Sequence, residues 1–444
     1  MSSSAGTPAR TGAEPGGAVR PALRVGEFVP LAALLMSLVA LAIDTMLPAL
    51  PAIGEDLGVA RRNDVQFVIT ALFVGLGVGQ LVFGPLSDRI GRRPAIHAGL
   101  VLFMTGCLMS ILASTFEVMI AGRVLQGAGA AGPRVVTLAL VRDQYEGRRM
   151  ARLMSFVLAV FIFIPTVAPA LGQAILWVAS WRAIFTMFLA IAVIAFAWFA
   201  LRQPETLPVA RRRSLAPRAI GRGILEVLRI RSALGFTLAS GSVFAPFIAY
   251  LSSAQQIFQE AYTTGALFPV YFGGLALAVG GASLVNGRLV MKHGMRRLSM
   301  GSAVSTVLVS IPMWMLTFVF GGLPPLWVFT VYLLAIFFAF GLLFANLNAL
   351  AMEPLGHLAG VGSSVVSSLS VFVAAPLGTI VGLSFDGTMF TQIAAFAVFG
   401  AGGFAAMRWA AGGAPAKPGL PVKAGQPVAL PSSCRRGQPL ETPK

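Results

Sequence analysis

Twelve times along this chain a run of roughly twenty residues passes with almost no charge, which is the length an α-helix needs to cross a bilayer. The runs are read at 28–50, 65–86, 95–114, 118–141, 152–176, 182–201, 232–258, 264–287, 298–320, 326–351, 359–384 and 388–411. In hydrocarbon every backbone N–H and C=O must find its partner within the protein, so such segments form helices. The expected fold is an all-α integral membrane protein of twelve transmembrane helices. Composition agrees: 57% of the 444 residues are hydrophobic and 11% charged, more apolar side chain than a soluble chain needs for its interior. The first run is too long for a signal-peptide core and ends at no A-x-A-like site, so it is expected to be retained. Residues 1–27 and 412–444, rich in Pro, Gly, Ala and Ser, are expected to be disordered tails.

A formal net charge of +17 would suit nucleic-acid binding if it formed one patch. Instead the charge follows the parity of the connections. Of 33 Lys and Arg, only Arg61, Arg62 and Arg182 fall on odd-numbered connections, and Arg123 and Arg134 lie within the fourth run. The other 28 belong to the tails and the even-numbered side. This positive-inside pattern places both termini and the 202–231 connection in the cytoplasm. The basic excess then faces anionic lipid, and no nucleic-acid partner is expected.

Enzyme chemistry finds no foothold. His97, His293 and His357 are far apart, and Cys107 and Cys434 form no paired motif. No H-E-x-x-H, Walker loop or G-x-S-x-G is present. No metal and no cofactor is expected, and a membrane-embedded enzyme is the weakest reading. Active transport without an ATP-binding motif must draw on an ion gradient, worth about 2.3 kcal/mol per charge per 100 mV.

The 202–231 connection carries eight Arg against two Glu and separates a first six-helix half, 28–201, from a second, 232–411. Within it, 218–230 has Arg218, Arg222 and Glu226 on one stripe and Ile220, Ile224 and Leu228 on the other. That pattern suits a helix on the membrane surface, and a loose linker is the alternative. GPLSDRIGRR (84–93) and GRLVMKHGMR (287–296) occupy the same place in each half, with glycines matching at 84/287 and 91/294. Parallel six-helix repeats bind their substrate at the midplane between the halves.

LAIDTMLPALPAI (41–53) puts the one carboxylate that lies well inside a run, Asp44, among apolar residues. Such a charge costs about 2.5–3.5 kcal/mol on insertion scales and normally faces a cavity, pairs with a cation or marks an ion path. Burial penalises the charged form of a carboxylate, so Asp44 is placed to exchange a proton. Pro48 withholds an N–H from the Asp44 carbonyl, and the helix should bend there. A carboxylate that merely anchors this bend is the plainer alternative. Arg123 and Arg134, eleven residues apart, share a helix face with Gly127 and Ala130 between them. Depth permits a pairing of Asp44 with Arg123. Fixed ion pairing and substrate contact stay open for both arginines.

Several of these stretches resemble the major facilitator superfamily. GPLSDRIGRRPAI (84–96) is similar to its loop between the second and third helices, and RVLQGAGAAG (123–132) to the fourth helix of drug/proton antiporters. APALGQ (168–173) resembles the antiporter pattern of the fifth helix, with Ala168 and Gln173 where glycines are usual. IDTMLPALPAIGEDLGV (43–59) resembles the bicyclomycin/chloramphenicol-resistance (Bcr/CflA-type) subfamily. The resemblance covers 28–411. It implies a proton-coupled exporter of small, largely apolar drugs, working by alternating access as a monomer in the bacterial inner membrane. A dedicated exporter of one metabolite on the same fold is the alternative. In that family the loop is a conformational latch, a role carried to Asp88 and Arg89, with Gly91 and Arg93 in the same turn. Turn geometry and topology charge explain Gly91 and the arginines equally well, but not Asp88. The second-half echo has Met291 there, so any latch is lopsided. Arg142 and Asp143 are expected to join it or to form a helix-end pair. Pro165, Pro169 and Gly172 are a candidate hinge together with Pro48, or a packing kink. Gln126, Tyr250, Gln255, Gln256, Asn346 and Asn348 are candidate cavity polar groups, each equally readable as an interhelical hydrogen bond.

Overall fold

Residues 23–145, 147–212 and 217–412 are described by the computed structural model. Of the expected tails, 1–22 and 413–444 lie outside the described residues, and Val25 already opens the first helix. Helix α1 (Val25–Asp44) stops at Asp44 and is followed by a 3-10 turn, Leu47–Ala49, and a short α2 (Leu50–Asp56). The expected bend is therefore a full break, because neither Pro48 nor Pro51 can donate to the ladder. A 3-10 turn, Arg62–Gln66, leads into α3 (Phe67–Ile90), α4 (Arg92–Ile111), α5 (Phe116–Gln144), α6 (Gly147–Val178) and α7 (Arg182–Arg202). The linker helix α8 (Pro217–Arg229) precedes α9 (Arg231–Gln255), α10 (Phe268–His293), α11 (Met295–Val319), α12 (Leu326–Met352), α13 (Ala359–Leu383) and α14 (Phe390–Ala411). Counting Val25–Asp56 as one crossing, eleven of these segments are long and apolar enough to span a bilayer. The twelfth is α6, 32 residues long, with an apolar stretch at Phe163–Val178.

Small residues set the spacing of the helices. A Cβ on Gly127 of α5 would lie 2.0 Å from the Leu72 carbonyl of α3, and one on Gly75 of α3 would lie 2.0 Å from the Val124 carbonyl of α5. Gly129 meets the Phe103 N of α4 at 2.2 Å in the same way. Backbone-to-backbone packing of this kind replaces the hydrophobic drive that lipid removes. Helices α1 and α3–α7 pack among themselves, as do α9–α14. The contacts between the two groups run mainly along α3 with α13 and α6 with α10.

The start of α1 and the end of α14 lie at one end of the bundle, here the near end. There Arg202 at the end of α7 pairs with Glu27 of α1 at 2.7 Å, and Arg231 at the start of α9 donates to the Trp409 carbonyl of α14 at 2.7 Å. Two near-end junctions, α3–α4 and α10–α11, are single-residue turns at Gly91 (φ +107°) and Gly294 (φ +77°), left-handed positions that favour glycine. These are the glycines that echo each other in sequence. Helix α8 also packs against the second helix group. Its buried side is Gly223 and Val227, against Val361 and Val365 of α13, while Leu228 is exposed.

Candidate functional site

The break after Asp44 exposes carbonyls that a continuous helix would have used. Arg123 of α5 takes one of them: its Nη2 donates to the Ala42 carbonyl at 2.9 Å, while its Nε donates to the Val68 carbonyl of α3 at 3.1 Å. Its Nη1 donates to Gln126 Oε1, and the guanidinium lies 5.7 Å from the Phe185 ring centroid. Gln126 in turn donates to Cys107 Sγ at 3.0 Å. Arg123 and Gln126 are both 0% exposed. The permitted Asp44–Arg123 pairing is thus absent. Arg123 is a cationic cap on the end of α1, where a positive group meets the negative pole of the helix. Gln126 supports it and does not reach a cavity.

Asp44 itself is 5% exposed and makes no hydrogen bond or ion pair with a described residue. It lines a chamber of about 210 Å³ at the middle of the bundle, between the two helix groups. From the first group come Val39, Ala40, Ile43, Phe73, Arg134 and Pro165. From the second come Phe244, Phe247, Leu251, Phe272, Phe337, Phe340 and Phe344, with Ala276, Val279 and Gly280. Phe247 stacks on Phe340 at 4.4 Å and 7°. Both charged side chains therefore come from the first helix group, and every aromatic ring except Phe73 from the second. A buried carboxylate without a protein partner is stable when it holds a proton or faces a cation. Tyr250, 0% exposed, packs on Phe272 and Phe337 behind the wall, near enough to interact electrostatically with Asp44.

Arg134 also lines a second cavity of about 760 Å³ that reaches the near end, with Gln80, Ser87, Asp88, Arg142, Asn348, Ser363 and Ser367. The apolar chamber thus adjoins a polar vestibule, with Arg134 at their boundary. At the vestibule's near end Arg92 is central. It pairs with Asp88 at 2.6 Å and Asp143 at 2.9 Å, and donates to Ser87 Oγ at 2.8 Å. The Glu205 carboxylate accepts the backbone N–H of Arg92 (2.9 Å) and Arg93 (3.0 Å), capping the start of α4. A Cβ on Gly91 would lie 2.4 Å from Glu205, which ties the linker to this turn. The start of α13 also comes close: a Cβ on Gly360 would lie 3.4 Å from Asp88 Oδ2.

The other basic residues of the sequence reading stand apart from this cluster. Arg89 is exposed and bonds to no described residue, Arg142 is exposed at the vestibule edge, and Arg93 donates to the Ala200 carbonyl at 2.6 Å. The cation between the two aspartates is Arg92, four residues after Asp88 and across the turn at Gly91. Alanine at Arg92 leaves two half-buried carboxylates facing each other, and is expected to cut transport more than about tenfold at matched protein level. Alanine at Arg89 is expected to stay within about twofold. Equal effects of the two substitutions in a whole-cell efflux assay would remove Arg92 from the centre of the cluster.

The remaining candidates scatter. Pro165 lines the chamber, Pro169 is buried, and α6 runs helically through both. Gly172 is a contact point: its Cβ would lie 1.8 Å from the Thr45 carbonyl, next to Asp44. Gln255 donates to Glu260 at 3.3 Å, and Gln256 meets Gln66 at 2.8 Å and Asn63 at 3.1 Å, all at the far end. Asn346 forms a reciprocal pair with Asn286. Of the six polar candidates Asn348 lines the vestibule, and none lines the chamber. The sequence reading missed Arg92, Glu205 and the aromatic wall. The spacing of Phe244 and Phe247, and of Phe337, Phe340 and Phe344, marks one face of each helix and was readable.

The profile of the Major Facilitator Superfamily matches residues 32–379. The chain is 31% identical to the uncharacterised MFS-type transporter YdgK of Bacillus subtilis over 351 residues, covering 77% of this chain and 85% of that one. It is 31% identical to a chloramphenicol resistance protein of Pseudomonas aeruginosa over 353 residues, covering 78% and 81%. In three dimensions it is similar to the xylose transporter XylE from E. coli in a partially occluded inward open conformation. The TM-score is 0.70 at 12% identity, over 88% of this chain and 98% of that one, a likeness of fold. With twelve crossings, the matched profile and these relatives, the chain is a multi-pass membrane transporter and belongs to the Major Facilitator Superfamily.

Proposed function

We propose that this transporter exports small, largely apolar compounds, drugs among them, in exchange for protons. The observation that carries the reading is Asp44, a buried carboxylate with no described partner in an aromatic chamber between the two helix groups. In the proposed cycle Asp44 takes up a proton while the chamber faces outward and releases it to the cytoplasm when substrate enters. Each state of the carboxylate favours one arrangement of the two halves, 28–201 and 232–411, about the 202–231 linker. The apolar lining supplies affinity for the substrate body without a fixed hydrogen-bonding pattern. Similarity to a chloramphenicol resistance protein supports export of that kind of compound.

The charge asymmetry of the connections supports a cytoplasmic near end in the bacterial inner membrane, with the chain acting as a monomer. The vestibule would then face the cytoplasm. A tag at position 211 should be labelled in inverted vesicles and silent in intact cells. Labelling from outside intact cells would overturn the orientation. The function is tested in inverted vesicles with an imposed pH gradient and a panel of apolar compounds including chloramphenicol. Substrate-dependent collapse of the gradient is expected, and a gradient untouched by every compound would reject proton-coupled export.

A further inference from the structure

Helix α9 leaves the α register at its far end. Residues Gln256–Ala261 form a π-helical turn. Such a turn holds one extra residue, which rotates what lies beyond it, and is frequent at functional sites. Here it turns three polar side chains toward the other helix group. Gln256 accepts from Gln66 at 2.8 Å and donates to Asn63 at 3.1 Å. Gln259 donates to Gln173 of α6 at 3.2 Å. Glu260 pairs with Arg62 at 2.7 Å, an arginine that is largely exposed.

Around this turn the far end is tied shut. Asn63 donates to the Leu383 and Phe385 carbonyls at 3.0 and 2.7 Å, occupying acceptors freed where α13 ends. Thr70 and Thr379 hydroxyls meet at 2.8 Å. Gln66 is 0% exposed, and a Cβ on Gly382 would lie 2.1 Å from its Oε1. Closure therefore rests chiefly on neutral amides, of which the Gln66–Gln256 pair is buried, where a hydrogen bond is electrostatically stronger than in water. The exposed Arg62–Glu260 pair adds little. Gln173 is one of the two residues, with Ala168, that depart from the antiporter pattern, and this seam gives it a specific partner.

We propose that the π turn Gln256–Ala261 is the far-end gate of this transporter, with Gln256 and Gln259 as positioning residues that hold the Asp44 chamber closed on that side. Gln173, Asn63 and Gln66 form the opposing half of the gate. For the chamber to open at the far end these amides must part. Return of the turn to the α register would withdraw all three side chains together, because one residue of register is about 100° of rotation.

The test reads conformation and so does not depend on which compound is carried. A cysteine at Ala40 in the chamber wall, in full-length protein with Cys434→Ser, is labelled by a membrane-impermeant maleimide from each side in turn. In the unmodified gate, labelling from the far side is expected to be slow. Gln256→Leu, Gln259→Leu and Gln173→Gly should each raise the far-side rate about fivefold or more and lower the near-side rate. The charge swap Gln173→Glu with Gln259→Lys should do the reverse, slowing far-side labelling and export while near-side labelling persists. A purely structural role predicts no such opposite response. Far-side rates unchanged within about twofold in both leucine variants, or rates raised equally from both sides, would overturn the proposal.

Discussion

Asparagine in place of Asp44 is expected to abolish gradient-driven export while the protein remains in the membrane at near-normal level. The substitution preserves size and removes only the ability to ionise. Because Asp44 bonds to no described residue, no interaction that holds the fold is lost. The helix end beside it is held independently, by Arg123 on the Ala42 carbonyl. Stability should therefore change by less than about 1 kcal/mol. Binding of a neutral substrate and exchange without a net gradient should survive. Asp44→Glu moves the carboxylate by one methylene within a packed chamber, and partial activity with a displaced pH optimum is expected. The decisive measurement is proton release on adding substrate to purified protein, wild type against Asp44→Asn. Equal release from both would leave Asp44 as an anchor of the helix break and require another group as the proton carrier.

The second large effect is expected from a single methyl group. Gly172→Ala sets a carbon where the Thr45 carbonyl oxygen now lies 1.8 Å away, and both partners are backbone. Neither a rotamer change nor a flexible tip can relieve the clash, so α6 must move off the broken end of α1. Overpacking of this kind costs about 3 kcal/mol. It also falls one residue after Asp44, so the chamber wall shifts with it. A melting temperature several degrees lower and near-complete loss of transport are expected. Gly301→Ala, whose added Cβ meets nothing within 4 Å, is the control and should leave both unchanged. Gly172→Ala protein with wild-type melting and transport would show that the two backbones do not press together at this point.

The loop cluster and the chamber show where sequence reasoning stopped. Asp88 was legible because a carboxylate in a basic turn has no topological reason to be there. Its partner was not, since Arg89, Arg92 and Arg93 are equivalent along the chain. Helical phase decides it: Arg92 follows the single-residue turn at Gly91 and turns back toward Asp88, whereas Arg89 points outward. Likewise Asp44 and Arg123 were compatible in depth. Depth says nothing about azimuth, and the acceptors Arg123 meets are the Ala42 carbonyl at the helix break and the Val68 carbonyl of α3.

What the sequence determined by itself was the membrane class, the twelve crossings and the position of the one deeply placed carboxylate. These follow from local hydropathy and from proline's missing N–H, quantities that need no knowledge of neighbours. The tertiary structure alone decided which residues meet across 80 to 320 positions of chain: Arg123 with Ala42, Gln66 with Gln256, Asn63 with Leu383. It also made the chamber, with acid and guanidinium from one helix group and all the phenylalanines but Phe73 from the other. The physical reason is that a membrane helix is apolar on every side. Hydropathy then carries no signal for its rotation, which is set instead by where glycines let two backbones touch.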